Sequence, residues 1–213
     1  MSRSEDLRPI VTLAPVIPVV VIEDAGQAIP IARALVAGGL KVIEITLRTP
    51  AATAAIEAIA GEVEGAIVGA GTVLSKGQLV ASARAGAQFI VSPGINDDLL
   101  KAADDSPVPW MPGSATPSEA MRLMDEGYTI QKFFPAEQSG GVRYLKALAS
   151  VLPAVSFCPT GGVDAKNAAD YLALGNVVCV GGSWVTPKDA LAGGDFARIE
   201  GLAREAAKLG VKR

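Results

Sequence analysis

Leu40-Lys41-Val42-Ile43-Glu44-Ile45-Thr46-Leu47-Arg48 is the stretch on which the fold turns. Its residues alternate at a period of two, the period of a strand. Ile43, Ile45 and Leu47 fall on one face, and Glu44, Thr46 and Arg48 fall on the other. Alanine-rich helical patterns stand on either side, over 25–37 and 51–60, and Gly38-Gly39 closes the first. A strand set between two helices pairs with its neighbours in parallel. A parallel strand is covered on both faces and should be apolar throughout. The isoleucine face must meet the helices, so the polar face points into the interior or mouth of the sheet.

The same alternation runs outward to both ends of the chain. Strand patterns cover 16–22, 40–46, 65–71, 87–92, 108–113, 129–134, 154–160 and 176–182. The remaining helical patterns cover 76–85, 97–103, 118–126, 141–151, 165–174 and about 187–209. Thr116 is a cap with Pro117 in the first turn, Asp164 can cap the helix after Gly161-Gly162-Val163, and Gly86 and Gly127 close two others. Eight such units without a linker predict one α/β domain over 1–213, a small (β/α)8 TIM barrel with a short N-terminal extension. A doubly wound sheet would carry G-x-G-x-x-G after its first strand, whereas 23–28 read Glu-Asp-Ala-Gly-Gln-Ala. Pro15 and Pro18 sit badly in a central first strand.

Composition excludes whole classes of chemistry. The 213 residues include no histidine, which removes His-based triads, a His general base and imidazole metal sites. Proton transfer must then fall to carboxylates, lysine, tyrosine, cysteine or water. Lys+Arg is 19 against 22 Asp+Glu, with no basic block among aromatics, so no nucleic-acid partner is expected. The charged N-terminus lacks the apolar core of a signal peptide, and the longest apolar run, 14–22, is too short for a membrane span. Cys158 and Cys179 lie in apolar runs and read as core thiols. A cytoplasmic protein with no membrane contact is the expectation.

Charge inside strands marks the candidate site. A buried carboxylate at Glu44 costs several kcal/mol unless it is paired. Arg48 follows on the same face, so the two either satisfy one another or belong to a site at the carboxyl end of the strand. Lys132 breaks a second strand, between Ile130 and the pair Phe133-Phe134. Its head either snorkels to solvent or stays desolvated, and a neutral buried amine is the nucleophile that forms a Schiff base with a ketone. Glycine turns follow three strands, at 69–72, 161–162 and 181–183. The last two fall after strands seven and eight, where barrels bind phosphate, and Ser183 adds a hydroxyl.

These pieces occur together as Glu-Ile-Thr-Leu-Arg-Thr (44–49), Ile-Val-Gly-Ala-Gly-Thr-Val (67–73), Val-Ser-Pro-Gly (91–94), Lys-Phe-Phe-Pro-Ala-Glu (132–137), Cys-Pro-Thr-Gly-Gly-Val (158–163) and Cys-Val-Gly-Gly-Ser-Trp (179–184). From Pro15 to Arg204 the chain closely resembles the 2-keto-3-deoxy-6-phosphogluconate (KDPG) aldolase family. The resemblance implies a class I aldolase on a (β/α)8 barrel, a homotrimer that needs no cofactor or metal. Its substrate would be a small phosphorylated keto-deoxy sugar acid of the Entner–Doudoroff pathway, cleaved to pyruvate and D-glyceraldehyde 3-phosphate. Cleavage of 4-hydroxy-2-oxoglutarate to pyruvate and glyoxylate often accompanies that activity.

By position, the resemblance makes Lys132 the Schiff-base lysine and Glu44 the acid/base. It assigns Arg48, Thr72, Pro93 and Phe134 to the pyruvate end. Thr160 falls to C4 stereochemistry, and Gly161, Gly162, Gly182 and Ser183 fall to the phosphate. The 111–116 loop departs from relatives, with consequences for substrate preference. Two other readings of the same residues stay open. One is a phosphate-binding isomerase or epimerase with Glu44 as base, and the other is a scaffold that has lost its chemistry.

Overall fold

The structure, a computed structural model, describes residues 3–210. Every strand pairing is parallel, as the strand–helix alternation requires. Strands β1 (Val16–Val20), β2 (Val42–Thr46), β3 (Ile67–Gly71), β4 (Ile90–Val91), β5 (Trp110–Met111) and β9 (Val180–Gly182) form one sheet, in the order β5-β4-β3-β2-β1-β9. Strands β6 (Gly113–Ser114), β7 (Ile130–Phe133) and β8 (Ser156–Pro159) form the other, in that order. Isolated bridges Phe157↔Val177 and Thr160↔Gly181 join β8 to the segment that ends in β9. The result is an α/β fold whose parallel sheet curls about a shared interior.

The segment expected as one strand over 108–113 is two short strands. Met111 pairs with β4 and Gly113 pairs with β7, with Pro112 between them. Proline has no N–H to give a ladder, and Pro112 serves only as acceptor, from the Lys132 N–H at 2.8 Å. Pro18 is accommodated by a comparable handover. β1 pairs with β9 through Pro18 and with β2 only from Val19 onward.

Helices α2 (Ala28–Ala37), α3 (Ala52–Glu62), α4 (Lys76–Arg84), α5 (Asp97–Asp104), α6 (Pro117–Asp125) and α7 (Gly141–Val151) follow their predicted spans closely. A 3₁₀ turn at Ala25–Gln27 leads into α2. Thr116 and Glu119 make a reciprocal capping box at α6. Helix α8 is only Ala168–Leu172, because Asp164 accepts from the Lys166 N–H in a turn of its own instead of capping the helix. The last pattern splits into α9 (Lys188–Gly193) and α10 (Phe196–Ala207), where Gly194 adopts φ +63° and Asp195 caps the second piece. Among the described residues, no helix is long and apolar enough to cross a membrane.

An element without a sequence expectation closes the amino-terminal end of the interior. The four-residue α1 (Arg8–Val11), with Leu7 before it, sets Leu7 and Val11 fully buried against Ile17, Val42, Phe89, Met111 and Ile130. Large aliphatic side chains removed from water contribute roughly 2 kcal/mol each. The short N-terminal extension is therefore a plug for one end, which leaves only the carboxyl ends of the strands open.

Candidate active site

At the open end, β2 and β7 deliver opposite charges to the interior. The Lys132 Nζ donates to Glu44 Oε1 at 3.2 Å, and the two side chains are 5% and 2% exposed. The two strands are not ladder neighbours, since β2 pairs with β1 and β3 while β7 pairs with β6 and β8. The ion pair therefore spans the interior. Such a pair is a poor device for stability alone, because apolar replacements of like volume are often neutral or better. Removing one partner leaves the other charge buried and alone.

Local backbone is cut to fit this pair. A Cβ on Gly71 would lie 2.1 Å from Glu44 Oε1, so the carboxylate occupies the space a side chain would need. The 69–72 segment is not all turn: Gly69 and Gly71 belong to β3, and Gly69 makes the same kind of room for Phe89. Thr46, next on the polar face of β2, is buried and donates to the Val20 carbonyl at 3.1 Å. On the other side, the Phe134 ring centre stands 5.4 Å from Lys132 Nζ, within cation–π range.

A cavity of about 830 Å³ opens above, walled by Arg48, Phe134, Thr160, Gly161, Gly162, Gly182 and Ser183 among others. Arg48 leaves the strand pattern after Thr46, in a turn closed by its N–H on the Thr46 carbonyl, and is exposed. Thr160 is buried and fits because residue 181 is glycine, where a Cβ would meet its Oγ1 at 2.2 Å. Phe134 belongs to both levels, as part of the cavity wall and as the ring nearest the ammonium. Glu44 and Lys132 are not in that wall.

Thr72 and Pro93 stand apart from the cavity wall, after β3 and β4, and each is half-buried. Thr72 is the only non-glycine residue with positive φ among those described, at +58°. A β-branched residue is strained there, and such strain gathers at functional sites. Pro93 packs against β6, where a Cβ on Gly113 would meet its carbonyl carbon at 2.3 Å.

Glu23, Asp24, Trp184 and Lys188 are among the wall residues that the sequence did not single out. The signal available for the acidic pair was its place directly after the first strand pattern. The two cysteines behave as core thiols: hydrogen bonding with Cys158, reinforced by full burial, pushes the Cys179 thiol well up.

Chemically, the arrangement offers a buried amine beside a carboxylate, beneath a cavity with a guanidinium on one side and glycine turns on another. Comparison with known proteins points the same way. Residues 7–202 match the family model for KDPG and KHG aldolase. The chain is 55% identical to the KHG/KDPG aldolase of Escherichia coli (strain K12) over 92% of each. It superposes with TM-score 0.93 on the KDPG aldolase of Zymomonas mobilis ZM4 with 3-phosphoglycerate, at 46% identity over 99% of each chain. A KDPG aldolase from Legionella pneumophila, with pyruvate captured at low pH as a covalent carbinolamine, gives TM-score 0.92 at 44% identity over 94% of this chain and 98% of that one. The chain belongs to the KDPG and KHG aldolase family.

Proposed function

We propose that this chain is a class I aldolase that cleaves 2-keto-3-deoxy-6-phosphogluconate to pyruvate and D-glyceraldehyde 3-phosphate through an imine on Lys132. The observation that carries this reading is the buried Lys132–Glu44 pair beneath a cavity large enough for a phosphorylated six-carbon acid.

Glu44, at 3.2 Å, takes the proton of the Lys132 ammonium, and the freed amine attacks the C2 ketone. Glu44 returns that proton to the carbinolamine hydroxyl, which departs as water and leaves a protonated imine. Glu44, through a water molecule, then takes the C4 hydroxyl proton as the C3–C4 bond breaks. That bond's electron pair moves into the iminium, and the aldehyde departs from an enamine. Protonation of the enamine at C3 and hydrolysis release pyruvate and restore the lysine.

Arg48 holds the substrate carboxylate, bidentate where its fork allows. Thr72 and Pro93 complete the pyruvate end, with Phe134 as its wall. Thr160 meets the C4 hydroxyl, and Gly161, Gly162, Gly182 and Ser183 receive the phosphate. Binding at that far end orients the reacting bond. 4-Hydroxy-2-oxoglutarate, cleaved to pyruvate and glyoxylate, is a second substrate of the same site.

The curled sheet is read as one (β/α)8 barrel in a single domain over 1–213, with the halves of the Pro112-split strand counted together. The Phe157↔Val177 and Thr160↔Gly181 bridges support closure on the other side. A cytoplasmic homotrimer completes the proposal, and sedimentation at three times the chain mass would bear out the trimer. The deciding assay compares the phosphorylated gluconate and galactonate epimers, with pyruvate release as readout. Cleavage of the gluconate epimer in preference is expected, and no pyruvate from either overturns the reading.

A further inference from the structure

The turn after β8 is braced from the side facing away from the cavity. Gly161 and Gly162 have φ of +99° and +74°, consecutive residues in the left-handed conformation that glycine adopts freely. The Gly161 carbonyl accepts from the Glu137 N–H at 3.1 Å, and the Gly162 carbonyl accepts from Asn167 Nδ2 at 3.0 Å. Asn167 is itself fixed, since its Oδ1 accepts from the Asp164 N–H at 2.9 Å. With the carbonyls tied back, the N–H groups of Gly162 and Val163 donate to nothing among the described residues, and both residues line the cavity.

The Glu137 side chain supports the same turn. A Cβ on Gly162 would lie 2.6 Å from Glu137 Cγ, so carboxylate stem and turn are in contact. The fully buried Tyr171 of α8 donates its hydroxyl to Glu137 Oε1. Burial, helped by that hydrogen bond, pushes the Tyr171 phenol well up, which keeps it a donor.

We infer that Glu137, Tyr171 and Asn167 are positioning residues that hold the Gly161–Gly162 turn with its free amides toward the cavity, and so set the preference for a substrate ending in a phosphate monoester. The inference rests on the aldolase reading and adds to it the residues that create the selectivity. Two neighbouring backbone N–H groups presented to an anion make charge-assisted hydrogen bonds without bringing a cation. A turn free to rotate its peptides would present carbonyl oxygens there part of the time.

The test is steady-state kinetics of Asn167→Ala, Glu137→Ala and Glu137→Gln on the phosphorylated six-carbon acid and on 4-hydroxy-2-oxoglutarate, which has no phosphate. The two alanine variants should raise KM for the phosphorylated substrate about tenfold, a loss on the scale of one good hydrogen bond. Their KM and kcat on 4-hydroxy-2-oxoglutarate should stay within about twofold of wild type. Glu137→Gln keeps an acceptor for Tyr171 and should restore wild-type values. Equal losses on both substrates, or none on either, would overturn the brace. A wild-type protein that cleaves neither would refute the aldolase reading alone, because calorimetry with inorganic phosphate still decides the brace. Its Kd should weaken about tenfold in Asn167→Ala, and an unchanged Kd, or no phosphate binding by wild type, counts against it.

Discussion

Val42 and Glu44 are one pleat apart on β2, as are Ile130 and Lys132 on β7, yet the members of each pair live in opposite surroundings. The lower residues join Leu7, Val11, Ile17, Phe89, Met111 and the two cysteines in a sealed apolar cluster. The upper ones make a buried ion pair beneath a cavity. The same strands thus carry stability at one end of the interior and chemistry at the other. The division is possible because the strands alternate: one step of two residues keeps the facing and changes the depth. Apolar contact at the closed end offsets the cost of burying charge at the open one.

The sharpest way to break this comparison is to remove a charge from the open end. Glu44→Gln should lower kcat by about 10²–10⁴ while pyruvate still binds. Stopped-flow or initial-rate measurement checks it, and an unchanged kcat would return Glu44 to the structural half of the molecule. At the closed end the effect should be reversed in kind. Leu7→Ala, at a fully buried position, should destabilise by about 2–5 kcal/mol in denaturant unfolding, with kcat and KM on both substrates unchanged. A kinetic defect in the folded variant would mean that the two ends are coupled.

A third site, outside both ends, sets the scale of small effects. Burial alone would raise the Glu119 carboxyl, but the Ala115 N–H and the side chain and N–H of Thr116 outweigh it and hold the carboxyl below its ordinary value. A lowered carboxyl gives stability that is full above its ordinary value and is lost as pH falls through the lowered one. The group is largely solvated, so wild type should exceed Glu119→Gln by only a few tenths of a kcal/mol at neutral pH. Thermal melts should show that margin closing as pH falls below the ordinary carboxylate range. A margin that grows on acidification would contradict the assignment.

Much of this was legible in the sequence, for identifiable reasons. Charge interrupting apolar strands singled out Glu44 and Lys132, and the Thr116 cap with Pro117 after it marked the start of α6. Helix α1 was not legible, because four residues give no period to read. Pro112 splits a strand whose composition reads as continuous, and Gly193-Gly194 breaks a terminal helix whose apolar pattern carries straight on. Gly71 read as part of a glycine turn after its strand, and its actual role, leaving room for a carboxylate from neighbouring β2, exists only in three dimensions. Pairing across the interior is equally invisible: Glu44 and Lys132 lie on strands that never share a ladder. Glu137 drew no attention as an exposed acid in a loop, because its significance depends on the Tyr171 hydroxyl of another element.

The central claim is that Lys132 forms an imine with the substrate's ketone. Treatment with pyruvate and borohydride, followed by intact mass and peptide mapping, tests it most directly. The account predicts one reduced pyruvyl unit per chain, located on Lys132, and none on Lys132→Met. A wild-type protein without an adduct, or an adduct that persists in Lys132→Met, would contradict it.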